Sequence, residues 1–305
     1  MNLIKFIKEF PDEASCKAHF RMQREKEGVT CKKCDSTHHY WLESKQMWQC
    51  KNCRFRTSLR SGTIMQASKL PFHKWYLAMA FMTFSKKGIS AKEMQRQLAH
   101  KYYEPVWLMM HKLREAMGQR DDLYTLEDMV EFDEAYVSVA SQQQARVKRG
   151  KGSQKKSNVA VMAESIPLED PESGKQNKSV RYFKMKVLES HKAEAVDETL
   201  KESLDGKNIV FSDKSTSYVN ISDYVDVHVS EVSDKHTTNH TLKWVHIAIA
   251  NLKRNLLGVY HKIKGEYLQK YLNEFCYKLN RRFFGEKLFD RLLIASVNGQ
   301  WQLSR

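Results

Sequence analysis

The segment EDMVEFDEAYVSV, residues 127–139, is where the pattern of the chain changes from helical to extended. Polar and apolar residues alternate along it, and β-branched and aromatic residues are frequent, so it predicts a β-strand. Successive side chains of a strand point to opposite faces of a sheet. Asp133 and Glu134 are therefore expected on opposite faces, and only one of them can serve a given site.

The segments that follow predict a mixed sheet. Two strands come directly after the first, NVAVMAES (158–165) and SVRYFKMKVL (179–188), joined by a polar loop over 166–178. The later predicted elements are a helix, a strand, a short helical region, a strand and two long helices: 192–204, 208–213, 217–224, 225–230, 243–261 and 265–282. Consecutive strands favour an antiparallel meander, and helical crossovers add parallel strands. The predicted fold is α/β, with a mixed five-stranded, ribonuclease H-like sheet.

Residues 1–60 predict a helical segment (1–28) followed by a small zinc ribbon. Two Cys-x-x-Cys pairs, CKKC and CKNC, are separated by 15 residues; their members are Cys31, Cys34, Cys50 and Cys53. In a chain without a secretion signal, this spacing indicates a metal site and not disulfides. Four thiolates close a tetrahedral shell, so we expect a structural Zn²⁺.

Residues 61–126 predict a helical region. Pro71 suits the first turn of a helix that continues to Phe84. Ser90 and Glu93 have capping-box spacing, so a second helix is expected to begin near Ala91. A third helix follows a break near 102–105. A helix-turn-helix arrangement would suit DNA binding, although two packed helices occur in many folds.

The charge of the chain favours a polyanionic partner. Its 305 residues carry 51 basic and 36 acidic side chains, a formal charge of +15. Nucleic acid is the first candidate and an anionic membrane the second. Residues 141–158 contain six basic residues and no acid, which predicts either a solvated loop or phosphate contacts. No apolar run reaches the roughly 18 residues that a membrane span needs, and a cytoplasmic location is expected.

The candidates for catalysis lie at strand ends. In a sheet of this kind, Asp133 on the first strand and Asp213 at the end of the fourth would converge at one edge. Asp213 could instead cap the following turn. Converging carboxylates favour two Mg²⁺ or Mn²⁺ ions acting on a phosphodiester. A third ligand is needed, and periodicity does not choose among Glu231, Asp234, His246, Glu266 and Glu274.

The stretch KWVHIAIANLKRNLLGVYH, residues 243–261, contains one of these candidates. His246 and Lys253 are seven residues apart, almost two turns, so both project from one face of the predicted helix. A histidine in an apolar helix is commonly a core residue with satisfied ring nitrogens. The sequence pattern alone leaves both interpretations of His246 open.

The chain resembles bacterial insertion-sequence transposases that carry an N-terminal zinc ribbon and an acidic-triad, ISXO2-like domain related to the Merlin-type transposons. The matching segments are CKKC…CKNC, SGTI…LPFHKW, LREAM, VEFDEAYVS, IVFSD and LKRNLLGVYHKI…YLNEFCYKLNRR, in family order from about residue 15 to residue 282. In that family the third ligand lies seven residues before the lysine of the LKR motif, which implies His246. Most relatives carry glutamate there, so the chain resembles a DDH variant. Since imidazole is a softer ligand than carboxylate, we expect Mn²⁺ to support activity better than Mg²⁺.

The resemblance implies an enzyme that cuts DNA at the ends of its element and joins them to target DNA. Asp133, Asp213 and His246 would bind the catalytic ions, and Lys253 could hold a phosphate. The implied partners are the terminal inverted repeats, target DNA and a second copy of the chain, in a nucleoid-associated homodimer or larger assembly. The implied domains are 1–60, 61–126 and 127–305. Two alternatives remain: a catalytically inactive DNA-binding protein derived from a transposase, and a metal-dependent nuclease without strand transfer.

Overall fold

The structure, a computed structural model, describes residues 1–140, 156–169, 176–190, 192–232, 234, 237–260 and 263–301. The chain forms two compact units, one of Met1–Arg120 together with Phe283–Arg305 and one of Asp121–Arg282. Within the described ranges, no helix is both long enough and apolar enough to cross a membrane.

The first unit is mainly helical. Its helices are α1 (Leu3–Glu9), α2 (Glu13–Glu27), α3 (Phe72–Phe84), α4 (Ala91–Gln97), α5 (Tyr103–Asp121), which ends at the unit boundary, and α9 (Leu288–Asn298). Pro71 directly precedes α3. The side chain of Ser90 accepts the N–H of Glu93 at 3.2 Å at the start of α4. The helix starts predicted at these two positions are confirmed.

Helices α1 and α2 replace the single helical segment predicted over 1–28. The break falls at Pro11, which has no N–H to donate to a continuing helix. Asp12 then opens α2 through a capping box with Ser15, whose N–H lies 2.8 Å from the Asp12 carboxylate. A capped start directly after a proline explains why two short helices form here.

Helix α9 is an element that the sequence analysis did not predict. Phe289 of α9 lies 5.7 Å from Phe6 and 5.8 Å from Tyr76, measured between ring centroids. Residues 283–305 therefore cluster with the N-terminal unit and not with the rest of the predicted domain 127–305. The division into three functional domains stays a prediction.

A three-stranded antiparallel sheet follows α2. Its strands are β1 (His39–Leu42), β2 (Met47–Cys50) and β3 (Arg56–Ser58), in that spatial order. One face packs on α2, where the guanidinium groups of Arg21 and Arg24 stack on Trp41 and Trp48 at 4.2 and 5.0 Å. This is the small ribbon that the cysteine spacing and the aromatic residues predicted.

The second unit contains a mixed five-stranded sheet. Its strands are β4 (Met129–Ser138), β5 (Lys156–Glu169), β6 (Gln176–Leu188), β7 (Ile209–Asp213) and β8 (Val227–Glu231). Their spatial order is β6-β5-β4-β7-β8. The first three strands pair antiparallel, while β7 is parallel to β4 and β8 is parallel to β7. The predicted ribonuclease H-like sheet is confirmed.

Two predicted loops are shorter in the structure. Strands β5 and β6 continue to pair as far as Glu169 and Gln176, so they occupy most of the loop predicted over 166–178. Backbone hydrogen bonds extend this hairpin beyond the apolar segments from which strands are recognised in a sequence. In the predicted basic loop 141–158, residues 156–158 begin β5 and the other fifteen lie outside the described residues.

Helices cover both faces of the large sheet. Helix α6 (Ala193–Ser203) packs on the face that contains Val130 and Phe132, beside two short 3-10 turns near 216–223. Helices α7 (Lys243–Val259) and α8 (Leu268–Asn280) pack on the face that contains Ala135 and Val137. Alternate residues of β4 thus pack into two separate hydrophobic cores, one on each face of the sheet.

Helix α8 also protects β6, the outer strand of the sheet. Asn280 accepts the N–H of Phe183 at 2.7 Å and donates to its carbonyl at 2.9 Å, as a neighbouring strand would. Gln269 does the same one helix length away, accepting from Val187 at 2.8 Å and donating to Met185 at 3.0 Å. These contacts satisfy backbone groups that an uncovered edge would leave for another chain.

Candidate active site

Strand β4 carries Asp133, and its alternation decides what the carboxylate faces. Phe132 is buried beside α6, whereas Val137 packs beneath α7. Asp133 lies on the α7 face with its side chain 16% exposed. The neighbouring Glu134 accepts a hydrogen bond from the amide of Asn158, whose position on β5 belongs to the other face. The prediction that the two acids diverge is confirmed.

Asp213 ends β7, the strand parallel to β4. The register pairs Met129 with Ile209 and Phe132 with Ser212. One further step of that register sets Asp133 beside Asp213. The two carboxylates interact, because Asp213 raises the pKa of Asp133.

Asp213 does not cap the turn that follows it, the alternative role that the sequence allowed. The 3-10 turn Thr216–Tyr218 is capped by Ser215, whose hydroxyl accepts the N–H of Ser217. This leaves the Asp213 carboxylate at the end of β7, beside Asp133 of the central strand.

His246 reaches the site from the first turns of α7. Its Nδ1 lies 3.9 Å from Oδ2 of Asp133, and its side chain is 34% exposed. Neighbouring residues Val245, Ala248 and Ile249 are buried in the core between α7 and the sheet. His246 therefore sits at the edge of this core, with its ring beside the carboxylate, and not within the core.

The electrostatics of the site favour a bound cation. The pKa of Asp133 is raised to about 7, chiefly by burial and also by the charges of Asp213 and Glu134, while the Glu134 N–H and the charge of Lys253 oppose the shift. Burial lowers the pKa of His246, and the charge of Asp213 opposes that shift. A carboxylate that is costly to ionise beside a neutral imidazole gains when a positive charge neutralises it.

Lys253 is the exposed residue of this group. It lies two turns along α7 from His246, and its charge lowers the pKa of Asp133. The ammonium group is thus close enough to act on the site, yet it remains available to solvent and to a phosphate.

Each of the other acids predicted as an alternative third ligand makes a contact with another residue. Glu231 lies beside Asp213 in the β7–β8 register and accepts the Thr241 hydroxyl at 2.8 Å. Glu266 pairs with Lys264 at 3.8 Å. The remaining ones are Glu274, which is buried and accepts the Tyr260 hydroxyl at 3.4 Å, and Asp234, whose carbonyl accepts the N–H of Thr238.

The three candidate ligands are more widely spread than a closed metal site. In the described part of the chain, only the four cysteines place three or more ligand atoms all within 4.8 Å of one another. Asp133 and His246 form a close pair, and Asp213 adjoins Asp133 in register. The structure brings the predicted residues together on the α7 face of the sheet without closing them around a single point.

The cysteine cluster has the geometry of a zinc site. The Cys31 and Cys53 sulfurs lie 3.5 Å apart, and those of Cys34 and Cys50 lie 3.6 Å apart. Tetrahedral Zn²⁺ with bonds of about 2.3 Å would separate its sulfurs by about 3.8 Å. The pKa of Cys50 is lowered to about 6, chiefly by the N–H of Cys53, which favours the thiolate of this residue. The four residues fit a structural Zn²⁺.

Glu131 is a buried residue near the site that the sequence pattern did not predict. This residue lies on the same face of β4 as Asp133, is fully buried, and accepts the backbone N–H groups of Trp244 and Val245 at 2.7 and 3.2 Å. The available signal was an acid two residues before Asp133, on a strand face that is otherwise mainly apolar. Its partner, however, lies more than a hundred residues away and has no local signature.

Comparison with known proteins relates the chain to one family. Residues 125–280, about half of the chain, match the family model of the ISXO2-like transposase domain. Among solved structures, the chain is similar to the Mos1 mariner paired-end complex with Mn, at TM-score 0.33, and to a pre-cleavage Mos1 transpososome, at TM-score 0.29. Both share 13% identity and cover 70% of this chain and 75% of the other. No curated protein matches the sequence.

Proposed function

We propose that this chain, which belongs to the ISXO2-like transposase family, is the DNA transposase of an insertion sequence. It cuts DNA at the ends of its element and joins the freed ends to target DNA. The observation that carries the proposal is the 3.9 Å approach of His246 to Asp133, beside Asp213 in the strand register and inside the family match.

Asp133, Asp213 and His246 would hold the catalytic Mg²⁺ or Mn²⁺ ions. Two carboxylates and one imidazole supply the oxygen and nitrogen ligands that such ions accept. Their spread beyond 4.8 Å suits two ions about 3.5–4 Å apart better than one. When bound, these ions supply Lewis-acid stabilisation of the charge that develops on the scissile phosphate.

The remaining residues of the site would position the DNA. Buried Val245, Ala248 and Ile249 pack α7 against the sheet and hold the His246 ring at a fixed height above Asp133. Lys253 is exposed on the same face of the helix and would hold a backbone phosphate near the cut. The exposed lysine would thus bind the substrate, and the half-buried histidine would bind the metal.

The outer face of the ribbon would contribute DNA binding. Tyr40, Gln49 and Arg56 form one cross-strand row, with Tyr40 43% exposed. Gln49 accepts from Nε of Arg56 at 3.1 Å, which orients the guanidinium group. Residues 29–60 contain seven basic and two acidic residues. An oriented arginine beside an aromatic ring suits contacts with base edges and phosphates in a DNA groove.

Transposition also constrains assembly and location. Two element ends must be handled together, so we propose a homodimer or larger assembly that works on chromosomal DNA. Helices α4 and α5 and the basic segment 141–158 would add further contacts to DNA.

The test is a cleavage and joining assay on a duplex that carries the DNA flanking the coding region. Wild-type protein with Mn²⁺ or Mg²⁺ should yield cut ends and joined products. Asp133→Asn, Asp213→Asn and His246→Ala should lose cleavage by at least about a hundredfold while still binding DNA. Glu134→Gln is the matched control, since it removes an adjacent charge on the opposite face of β4.

The two alternative functions correspond to different results. Cut ends without joined products would identify a nuclease and overturn the transposase proposal. DNA binding with no cleavage by the wild-type chain, under both metals, would identify an inactive derivative. If Glu134→Gln and Asp133→Asn lose equal amounts of cleavage activity, the assignment of Asp133 to the active site is wrong.

A further inference from the structure

Glu131 is a buried carboxylate that the proposed chemistry does not use. It has no exposed surface, although it lies on β4 only two residues from Asp133. Its Oε2 accepts two backbone N–H groups from the first turn of α7, those of Trp244 at 2.7 Å and Val245 at 3.2 Å. A charged side chain is costly to bury unless such bonds compensate it.

Helix α7 lacks a cap of its own. Leu242 stands at the N-cap position and makes no side-chain hydrogen bond, and the first turn contains no acidic residue. The first N–H groups of a helix have no partner within the helix and carry partial positive charge. Glu131 supplies from the sheet both the acceptor and the negative charge that the local sequence does not provide.

This contact fixes the residue that follows it. His246 comes directly after Val245, and its Nδ1 lies 3.9 Å from Oδ2 of Asp133. Glu131 and Asp133 project from the same face of one strand, so the strand sets the distance between the cap and the carboxylate. The first turn of α7 therefore cannot shift along β4 without breaking the two bonds to Glu131.

We propose that Glu131 is a positioning residue, which sets the height and rotation of α7 so that His246 meets Asp133. The proposal rests on the proposed function only for its effect on catalysis, because the placement of His246 is a property of the chain itself. Glu131 touches neither substrate nor metal in this account and acts through His246.

The test compares Glu131 variants with a matched control, Glu164→Ala. Glu164 is a second buried carboxylate of the same sheet, and its Oε2 accepts the N–H of Glu127 at 3.1 Å, away from α7. The variants are Glu131→Ala and Glu131→Gln, whose amide oxygen can still accept both N–H groups. All are measured as full chains by thermal unfolding, by single-turnover cleavage at saturating DNA, and by ¹H–¹⁵N spectra of histidine-labelled protein.

The expected result separates position from stability. Glu131→Ala should slow cleavage by about tenfold or more and shift the ring signals of His246, which are assigned by their loss in His246→Asn. Glu131→Gln should recover most of the rate. Glu164→Ala should lose thermal stability yet keep the rate and the His246 signals. Equal behaviour of Glu131→Ala and Glu164→Ala in rate and spectrum would overturn the proposal.

Two further outcomes remain decisive. If Glu131→Ala does not fold, Glu131→Asp takes its place, because it keeps the charge and is one methylene shorter; unchanged rate and signals in that variant would overturn the proposal. If the wild-type chain cuts no DNA, the proposed function fails, but a His246 shift in the Glu131 variants would still support the positioning role and its absence would refute it.

Discussion

His246 Nδ1 and Asp133 Oδ2 lie 3.9 Å apart, one on a helix and the other on the central strand of the sheet. Lone-pair acceptors that approach this closely gain from a cation between or beside them. An imidazole in place of a carboxylate leaves the site with one negative charge fewer and one softer ligand. The preference of the enzyme for Mn²⁺ or Mg²⁺ should therefore depend on His246.

The first prediction concerns that choice. Wild-type protein should cut element ends faster with Mn²⁺ than with Mg²⁺, and His246→Glu should move the Mn²⁺/Mg²⁺ rate ratio toward Mg²⁺ by about tenfold, since carboxylate oxygen suits the harder ion. Single-turnover cleavage at equal free metal concentrations measures the ratio. A clear advantage of Mg²⁺ in the wild-type chain would contradict the prediction.

The second prediction concerns stability without divalent catalytic ions. The pKa of Asp133 is raised from 3.8 to about 7 in the folded chain, chiefly by burial. Between these values the folded state binds more protons than the unfolded state, so the free energy of unfolding falls as pH rises and levels off above about pH 7. Asp133→Asn removes this loss. Its advantage over wild type should grow by about 2 kcal/mol between about pH 5.5 and 7.5.

Urea unfolding in buffers that retain Zn²⁺ but lack Mg²⁺ and Mn²⁺ measures this advantage. Glu134→Gln serves as the control: it removes a minor contribution to the Asp133 pKa and should keep most of the pH dependence, because burial is the main cause. A pH-independent difference in unfolding free energy between Asp133→Asn and wild type would show that the pKa of Asp133 is not raised in the folded chain.

The third prediction concerns zinc. The purified chain should contain about one Zn²⁺, and Cys50→Ser should lose it and the structure of the ribbon, because a small three-stranded sheet depends on its metal for stability. Metal analysis and DNA binding measure both effects. Cys16→Ala is the control, a buried thiol outside the cluster. Full zinc content in Cys50→Ser would refute the Cys₄ assignment.

The large sheet was predictable because its signals are local. Alternation identified β4, the order of strands and helices identified the mixed topology, and that topology predicted that Asp133 and Asp213 converge. His246 required the resemblance to a family, since periodicity gave it the same standing as Glu231 and Glu274. Whether a residue can bind the metal depends on which other ligands lie near it in space, and a periodic sequence pattern does not contain that information.

The features that sequence analysis missed are contacts between distant segments. Glu131 caps a helix that begins over a hundred residues later, and α9 returns to rings near the N-terminus. Asn280 lies in the family segment YLNEFCYKLNRR, but its physical role beside β6, where it pairs with the backbone as a neighbouring strand would, emerged only from the fold. Such residues have ordinary local context, so propensity and spacing do not distinguish them.

The fourth prediction concerns the ribbon face. Arg56→Ala should weaken binding to duplex DNA by about tenfold and reduce its salt dependence, because it removes an oriented positive charge. Gln49→Ala should weaken binding less, since it frees the guanidinium group without deleting it. Fluorescence anisotropy across a salt series measures both. Lys8→Ala, which removes an exposed charge on α1, is the control. An equal loss of binding in that variant would show that Arg56 contributes only through the net charge of the chain.

The last prediction concerns the edge of the sheet. Asn280→Ala should lower the free energy of unfolding by about 1–3 kcal/mol, because it leaves the N–H and carbonyl of Phe183 without their partners in a half-buried position. Asn280→Asp should do so too, since a carboxylate accepts the N–H but repels the carbonyl. Urea unfolding measures the loss, and cleavage at a temperature where both variants are folded should be unchanged. A faster tendency to associate, measured by light scattering, is expected as well, because an uncovered outer strand offers its backbone to another chain. If Asn280→Ala instead unfolds like wild type, the side chain is not what closes β6, and the Gln269 contacts to Val187 and Met185 must suffice.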